Sequence, residues 1–294
     1  MPTSVADSGG RRECGQPGVA GPTPLGTWTH SPPAIPFLAF RAMTTSALRL
    51  AGLTKRYGET TAVDAIDLTV PAGSFFGLVG PNGAGKTTAL SMAVGLLRPT
   101  AGTAEIFGTD VWRSPVAAKR LVGVLPDGLA MTERLTGREM LTYLGRMHGL
   151  PAAVVAERVD ELLTVLDLDG AGRTLILGYS AGMRKKIGLA TALLAAPRLL
   201  VLDEPFEAVD PVSALTIRSI LRRFVAGGGS VVLSSHVMPL VEQLCDTVAV
   251  MHEGRVVAAG PIDAVRGGRP LDEVFVELVG ARGEREEELS WLAS

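Results

Sequence analysis

The sequence predicts an α/β fold with a mostly parallel sheet at its core, an antiparallel β portion before it and a helical insertion within it. Three observations carry this. Four apolar runs, Phe75–Val79, Val122–Leu125, Leu199–Leu202 and residues 231–233, each end in a polar or glycine-rich break, and helical stretches separate them. That alternation is the mark of parallel strands joined by helical crossovers. Ahead of and among them, residues 47–53, 62–70 and 103–107 are short β-like runs bounded by turns, which read as an antiparallel sheet. Between Thr132 and Leu177 the apolar residues Leu141, Leu144, Met147, Val159, Leu162, Leu163 and Leu166 recur at helical spacing.

In chain order, residues 1–44 are rich in glycine and proline and show no apolar period, so they are expected to be a disordered extension. Arg11 and Arg12 resemble a twin-arginine signal, but no apolar segment follows. A translation start at Met43, just before the patterned sequence, is the simpler expectation. Residues 45–280 form the folded domain, with the helical subdomain at about 130–180. A late hairpin is expected from residues 248–252 and 255–259 around Glu253-Gly254, and residues 281–294 read as a charged tail.

Composition excludes several classes of function. With 294 residues and 47% hydrophobic content the chain can bury a sizeable core. A net charge of -2 supplies no basic field to gather nucleic acid, so no nucleic-acid partner is expected. Two cysteines, Cys14 and Cys245, make no disulfide framework and fit a reducing compartment. The apolar runs are too short to span a bilayer.

The chemistry starts at the end of the first parallel strand. Gly80-Pro81-Asn82-Gly83-Ala84-Gly85-Lys86-Thr87 satisfies G-x-x-x-x-G-K-[ST], with a strand before it and a helical run at residues 88–97 behind it. Glycines there let backbone N–H groups curl around phosphate oxygens, and the helix N-terminus adds its dipole. Lys86 is suited to the β and γ phosphates, the Thr87 hydroxyl to Mg²⁺, and Thr88 continues the loop into the helix. Residues 199–204 form an apolar strand delivering two carboxylates to its end. Asp203 suits Mg²⁺ and Glu204 suits polarising an attacking water, although paired acids after a strand also occur as plain solvated turns. Ser180, before a helical stretch at residues 184–195, reads by itself as an N-cap.

Together these segments resemble the ATP-binding subunit of ABC transporters, over about residues 47–280. The family's signature has the form L-S-G-G-Q. Here Ser180 and Gly182 match it, while Tyr179, Ala181 and Met183 depart. The resemblance implies the P-loop NTPase fold of ABC ATPases, with ATP and Mg²⁺ as its ligands. It implies that Ser180 and Gly182 grip the γ-phosphate of a nucleotide held by an opposing subunit. Tyr57, in Lys55-Arg56-Tyr57-Gly58, is placed like the family's adenine-stacking aromatic, with a core tyrosine as the alternative. Asp210, in Ala208-Val209-Asp210-Pro211, is placed like the loop that communicates across the dimer, with a simple turn before a helix as the alternative. His236 ends its strand like the switch histidine that contacts the γ-phosphate. After Val124-Leu125-Pro126 the family has glutamine near Mg²⁺ and the attacking water; this chain has Asp127, a methylene shorter and negatively charged, which as a carboxylate can still bind Mg²⁺ or a water.

The expected activity is therefore ATP hydrolysis by a subunit that meets a second copy, as homodimer or heterodimer, and drives a separate transmembrane permease from the cytoplasmic face of the membrane. Residues 271–280 resemble the tail of ATPases paired with drug, lipid or polysaccharide export permeases, and read equally as a short amphipathic closing helix. Two rivals stand beside this reading: a non-transport ABC ATPase, and a nucleotide-gated regulator that does not hydrolyse ATP. The former usually carries paired cassettes or long heptads, and the latter is expected to lack Glu204 or His236.

Overall fold

The computed structural model describes Met1 and residues 46–128 and 131–280, and in it the central strands are buried on both faces while strands of the outer sheet alternate buried and exposed positions. The expected N-terminal extension, the Met43 start, Cys14 and the tail after Gly280 lie outside the described residues. The chain opens with β1 (Ser46–Tyr57) and β2 (Thr60–Pro71), a hairpin, and then β3 (Phe75–Val79), α1 (Lys86–Ala93), β4 (Ala101–Ile106) and β5 (Thr109–Asp110). It continues through α2 (Pro115–Lys119), β6 (Val122–Leu125), α3 (Gly137–Met147), α4 (Ala152–Val165) and α5 (Ala181–Leu193), with short 3₁₀ turns at Asp169–Ala171 and Ile176–Gly178. The rest is β7 (Leu199–Leu202), α6 (Pro211–Ala226), β8 (Ser230–Ser235), α7 (Met238–Leu244), β9 (Thr247–His252), β10 (Arg255–Pro261), α8 (Ile262–Arg266) and α9 (Leu271–Leu278).

Two sheets result. The expected antiparallel sheet has the order β2-β1-β4-β5. The second has the order β10-β9-β3-β8-β7-β6, parallel throughout except for the antiparallel hairpin pair of β9 with the edge strand β10.

The continuous apolar runs follow from burial on both faces. Phe75, Val79, Leu200, Leu202, Val231 and Leu233 face one cluster, shared with Leu141, Val159, Leu163 and Ile187 of the helices between β6 and β7. Phe76, Leu78, Leu199, Val201 and Val232 face the other, under α1 and the antiparallel sheet, with Leu48, Leu53 and Met92. The helices of the insertion thus bury their apolar sides in the same cluster as the sheet.

Helix boundaries differ from the sequence expectation at two places, for local reasons. α1 starts at Lys86 and stops before residue 97. Gly95 at φ 78° turns left-handed and lets Leu96 N–H reach back to the Ser91 carbonyl at 2.9 Å, which closes the helix end. α5 starts at Ala181, earlier than residue 184, because the Ser180 hydroxyl accepts the Met183 N–H at 3.2 Å. α3 opens with a capping box between Thr136 and Glu139. The C-terminal run is the closing helix α9, whose Leu271 and Val274 are buried. Among the described residues no helix is long and apolar enough to cross a membrane.

Candidate functional site

The ends of β3, β6, β7 and β8 converge on one cleft of about 360 Å³, lined by the loop residues Asn82–Thr88 together with Asp127, Glu204, Glu207 and His236. This is where a parallel sheet presents ligands, at the carboxyl ends of its strands.

The loop between β3 and α1 folds around Lys86. Its ammonium donates to the carbonyls of Gly80 at 2.8 Å and Pro81 at 3.3 Å, and its side chain is buried. Gly85 has φ 99°, and a Cβ there would lie 2.4 Å from the Ala62 carbonyl, so β2 packs against the loop at a distance only glycine permits. The first N–H groups of α1 receive no side-chain cap. A helix start of that kind offers its free donors and its dipole to an anion.

β7 and β8 deliver the carboxylates and the histidine. Asp203 is buried, and the Ser234 hydroxyl donates a short hydrogen bond to its Oδ1. The same Ser234 oxygen accepts the Glu204 N–H at 2.8 Å. Glu204 itself sits at φ 45°, a left-handed conformation that costs a residue with a side chain about 1–2 kcal/mol and persists because its surroundings hold it. Its Oε1 lies 3.1 Å from Nδ1 of His236 and 3.8 Å from Nζ of Lys86. One carboxylate therefore faces both the phosphate loop and the strand-end histidine.

The remaining expected residues fall outside the cleft lining. Tyr57 is exposed at the end of β1, with the Lys55 ammonium 5.1 Å from its ring centroid, so the core alternative does not hold. Ser180 and Gly182 form the start of α5, against Asp210: a Cβ on Gly182 would meet Asp210 Oδ2 at 3.0 Å. Asp210 caps α6, accepting the N–H groups of Val212 at 3.1 Å and Ser213 at 2.9 Å. Hydrogen bonds from the Ser213 side chain and backbone hold its carboxyl below the usual carboxylate range. Tyr179, where the signature has leucine, is buried, and its phenol is pushed up by burial against a smaller opposite pull from the Gly137 backbone.

For Mg²⁺ the residues present fit. The Thr87 hydroxyl at the start of α1 and the Asp203 carboxylate at the end of β7 are hard oxygen donors of the kind this ion takes. Among the described residues no group of three or more His, Cys, Asp or Glu comes together as a metal cage.

Glu207, Ala62 and Lys185 were not singled out by the sequence. Glu207 lines the cleft three residues after Glu204, and its N–H donates to the Glu204 carbonyl at 3.2 Å. Ala62 reaches the loop through a backbone carbonyl, which no side-chain pattern signals. Lys185 reaches Glu204 across the fold from α5, at 2.8 Å.

Comparison with known proteins shows the family. Residues 63–207 match the family described as ABC transporter. A daunorubicin resistance ATP-binding protein, DrrA3, of Streptomyces coeruleorubidus is 40% identical over 238 residues, covering 80% of this chain and 75% of that protein. A Nod factor export ATP-binding protein I of Ralstonia nicotianae is 39% identical over 216 residues, covering 74% of this chain and 67% of that protein. The solved structure of an ATP binding subunit of an ABC transporter superposes with a TM-score of 0.74 at 30% identity, covering 79% of this chain and 99% of that one.

Proposed function

Because this chain belongs to the ABC transporter family as an ATP-binding subunit, we propose that it hydrolyses ATP to power export through a separate membrane permease. The observation that carries the hydrolytic reading is the placement of Glu204 between Lys86 of the phosphate loop and His236, in one cleft. The backbone of Gly83–Lys86 and the Lys86 ammonium bind the β and γ phosphates. Thr87 and Asp203 hold Mg²⁺, with Asp127 within the same cleft; the ion neutralises charge on the phosphates when bound. Glu204 orients and polarises the attacking water, and His236 fixes the carboxylate and faces the γ-phosphate.

The same reading makes the chain half of each site. Exposed Ser180 and Gly182, buried against Asp210, lie at the start of α5 outside their own cleft, where a helix N-terminus can accept the γ-phosphate of a second subunit's nucleotide. Two copies related by a two-fold axis complete both sites, with Asp210 beside each signature and Tyr57 available to adenine. The permease contains the membrane spans, and the subunit works at the cytoplasmic face. Export, as opposed to import, is favoured by the drug-resistance and export names of the relatives.

Phosphate release from ATP in the presence of Mg²⁺ tests this. Turnover that disappears in Lys86→Ala is expected. Turnover unchanged in Lys86→Ala removes the loop from the mechanism.

A further inference from the structure

Glu204 is held by its main chain as well as its carboxylate. Its N–H donates to Ser234, and its carbonyl accepts from the Lys185 ammonium at 2.8 Å. Lys185 comes from the second turn of α5, five residues beyond the N-cap Ser180, and its side chain is only 17% exposed. The same Nζ lies 3.8 Å from Oδ1 of Asp127, at the end of β6. One ammonium thus ties together the signature helix, the loop after β6 and the backbone of the residue that faces the attacking water.

We propose that Lys185 is a positioning residue for ATP hydrolysis, holding Glu204 in its left-handed backbone conformation and offsetting the charge of Asp127. This rests on the hydrolytic reading above. A left-handed glutamate stays in place only while its two peptide groups are pinned. Ser234 pins the N–H, and Lys185 pins the carbonyl at 2.8 Å beside the longer Glu207 N–H bond at 3.2 Å, so removing Lys185 leaves that peptide only its weaker partner and loosens the carboxylate. The Asp127 contact is the weaker arm, because the pair is 3.8 Å apart and the carboxylate is half exposed. It also accounts for the departure at this position: a carboxylate beside phosphates is tolerated where a cation stands behind it. Because Lys185 shares α5 with Ser180, movement of the helix tip against a partner's nucleotide passes directly to Glu204.

Steady-state ATPase kinetics of the full chain test this, alongside binding of a fluorescent ATP analogue. Lys185→Met, which keeps the apolar stem, is expected to lower kcat about tenfold with KM and nucleotide binding changed less than about twofold. Lys185→Arg, which retains donors and charge, recovers most of the loss. In a Glu204→Gln background Lys185→Met lowers the residual rate no further, because it acts through Glu204.

Should Lys185→Met fold poorly, Lys185→Gln keeps an amide donor without the charge and is expected to fall between lysine and methionine. Wild-type turnover that Glu204→Gln cuts to a small residual rate and Lys185→Met leaves intact overturns the proposal alone. A Lys185→Met loss confined to KM, or repeated in full in the Glu204→Gln background, also overturns it. No turnover in the wild-type chain, with ATP binding intact, overturns the hydrolytic reading and this proposal together.

Discussion

The Nδ1 atom of His236 lies 3.1 Å from Oε1 of Glu204. The two residues are 32 positions apart and meet because β7 and β8 pair in parallel, each delivering its polar residues just past its last buried position. The ring holds a carboxylate that is itself only 12% exposed. His236→Ala is therefore expected to cut kcat by about 100-fold, the usual worth of a positioned acid-base group, with little change in KM. Steady-state phosphate release checks this, and an equal loss in ATP binding counts against the assigned role.

Ser234 joins the two carboxylate residues from behind. Its buried hydroxyl donates to Asp203 and accepts from the Glu204 N–H, so Ser234→Ala strands both groups in the interior. The expected cost is about 1–3 kcal/mol of stability, with lower kcat, measured by urea denaturation and by turnover. Ser234→Cys keeps the shape with a weaker donor and is expected to fall between.

The half-site arrangement makes a complementation experiment informative. Lys86→Ala and Ser180→Ala are each expected to be inactive, since each spoils both sites of a homodimer. Mixing them creates heterodimers with one intact site, formed by Lys86 of the Ser180→Ala chain and Ser180 of the Lys86→Ala chain. Recovered turnover on mixing is expected, and none is expected if each chain forms a complete site by itself.

Much of this architecture was legible because local chemistry and tertiary placement coincide. The apolar runs of β3, β6, β7 and β8 end in the residues that line or back the cleft, so hydrophobic pattern located the chemistry as well as the strands. The phosphate loop was legible because its glycines answer a local backbone requirement, seen at Gly85. Lys185 was not legible: nothing in its neighbourhood on α5 announces a partner just past β7, and that bond exists only once the sheet and helix have packed. Glu207 stood unmarked between Glu204 and Asp210. Tyr57 had two readings in the sequence, an adenine-stacking aromatic or a core tyrosine, and its exposure removes the second. The role proposed for Ser180 toward nucleotide needs a second chain, and within one chain its hydroxyl serves as the N-cap to Met183.

The central claim is that ATP joins two half-sites and that Glu204 breaks the joint by hydrolysis. Its most direct test is the molar mass of Glu204→Gln measured by light scattering during gel filtration. A dimer in ATP that reverts to monomer in ADP is the predicted result. A species that stays monomeric at saturating ATP, while still binding it, contradicts the account.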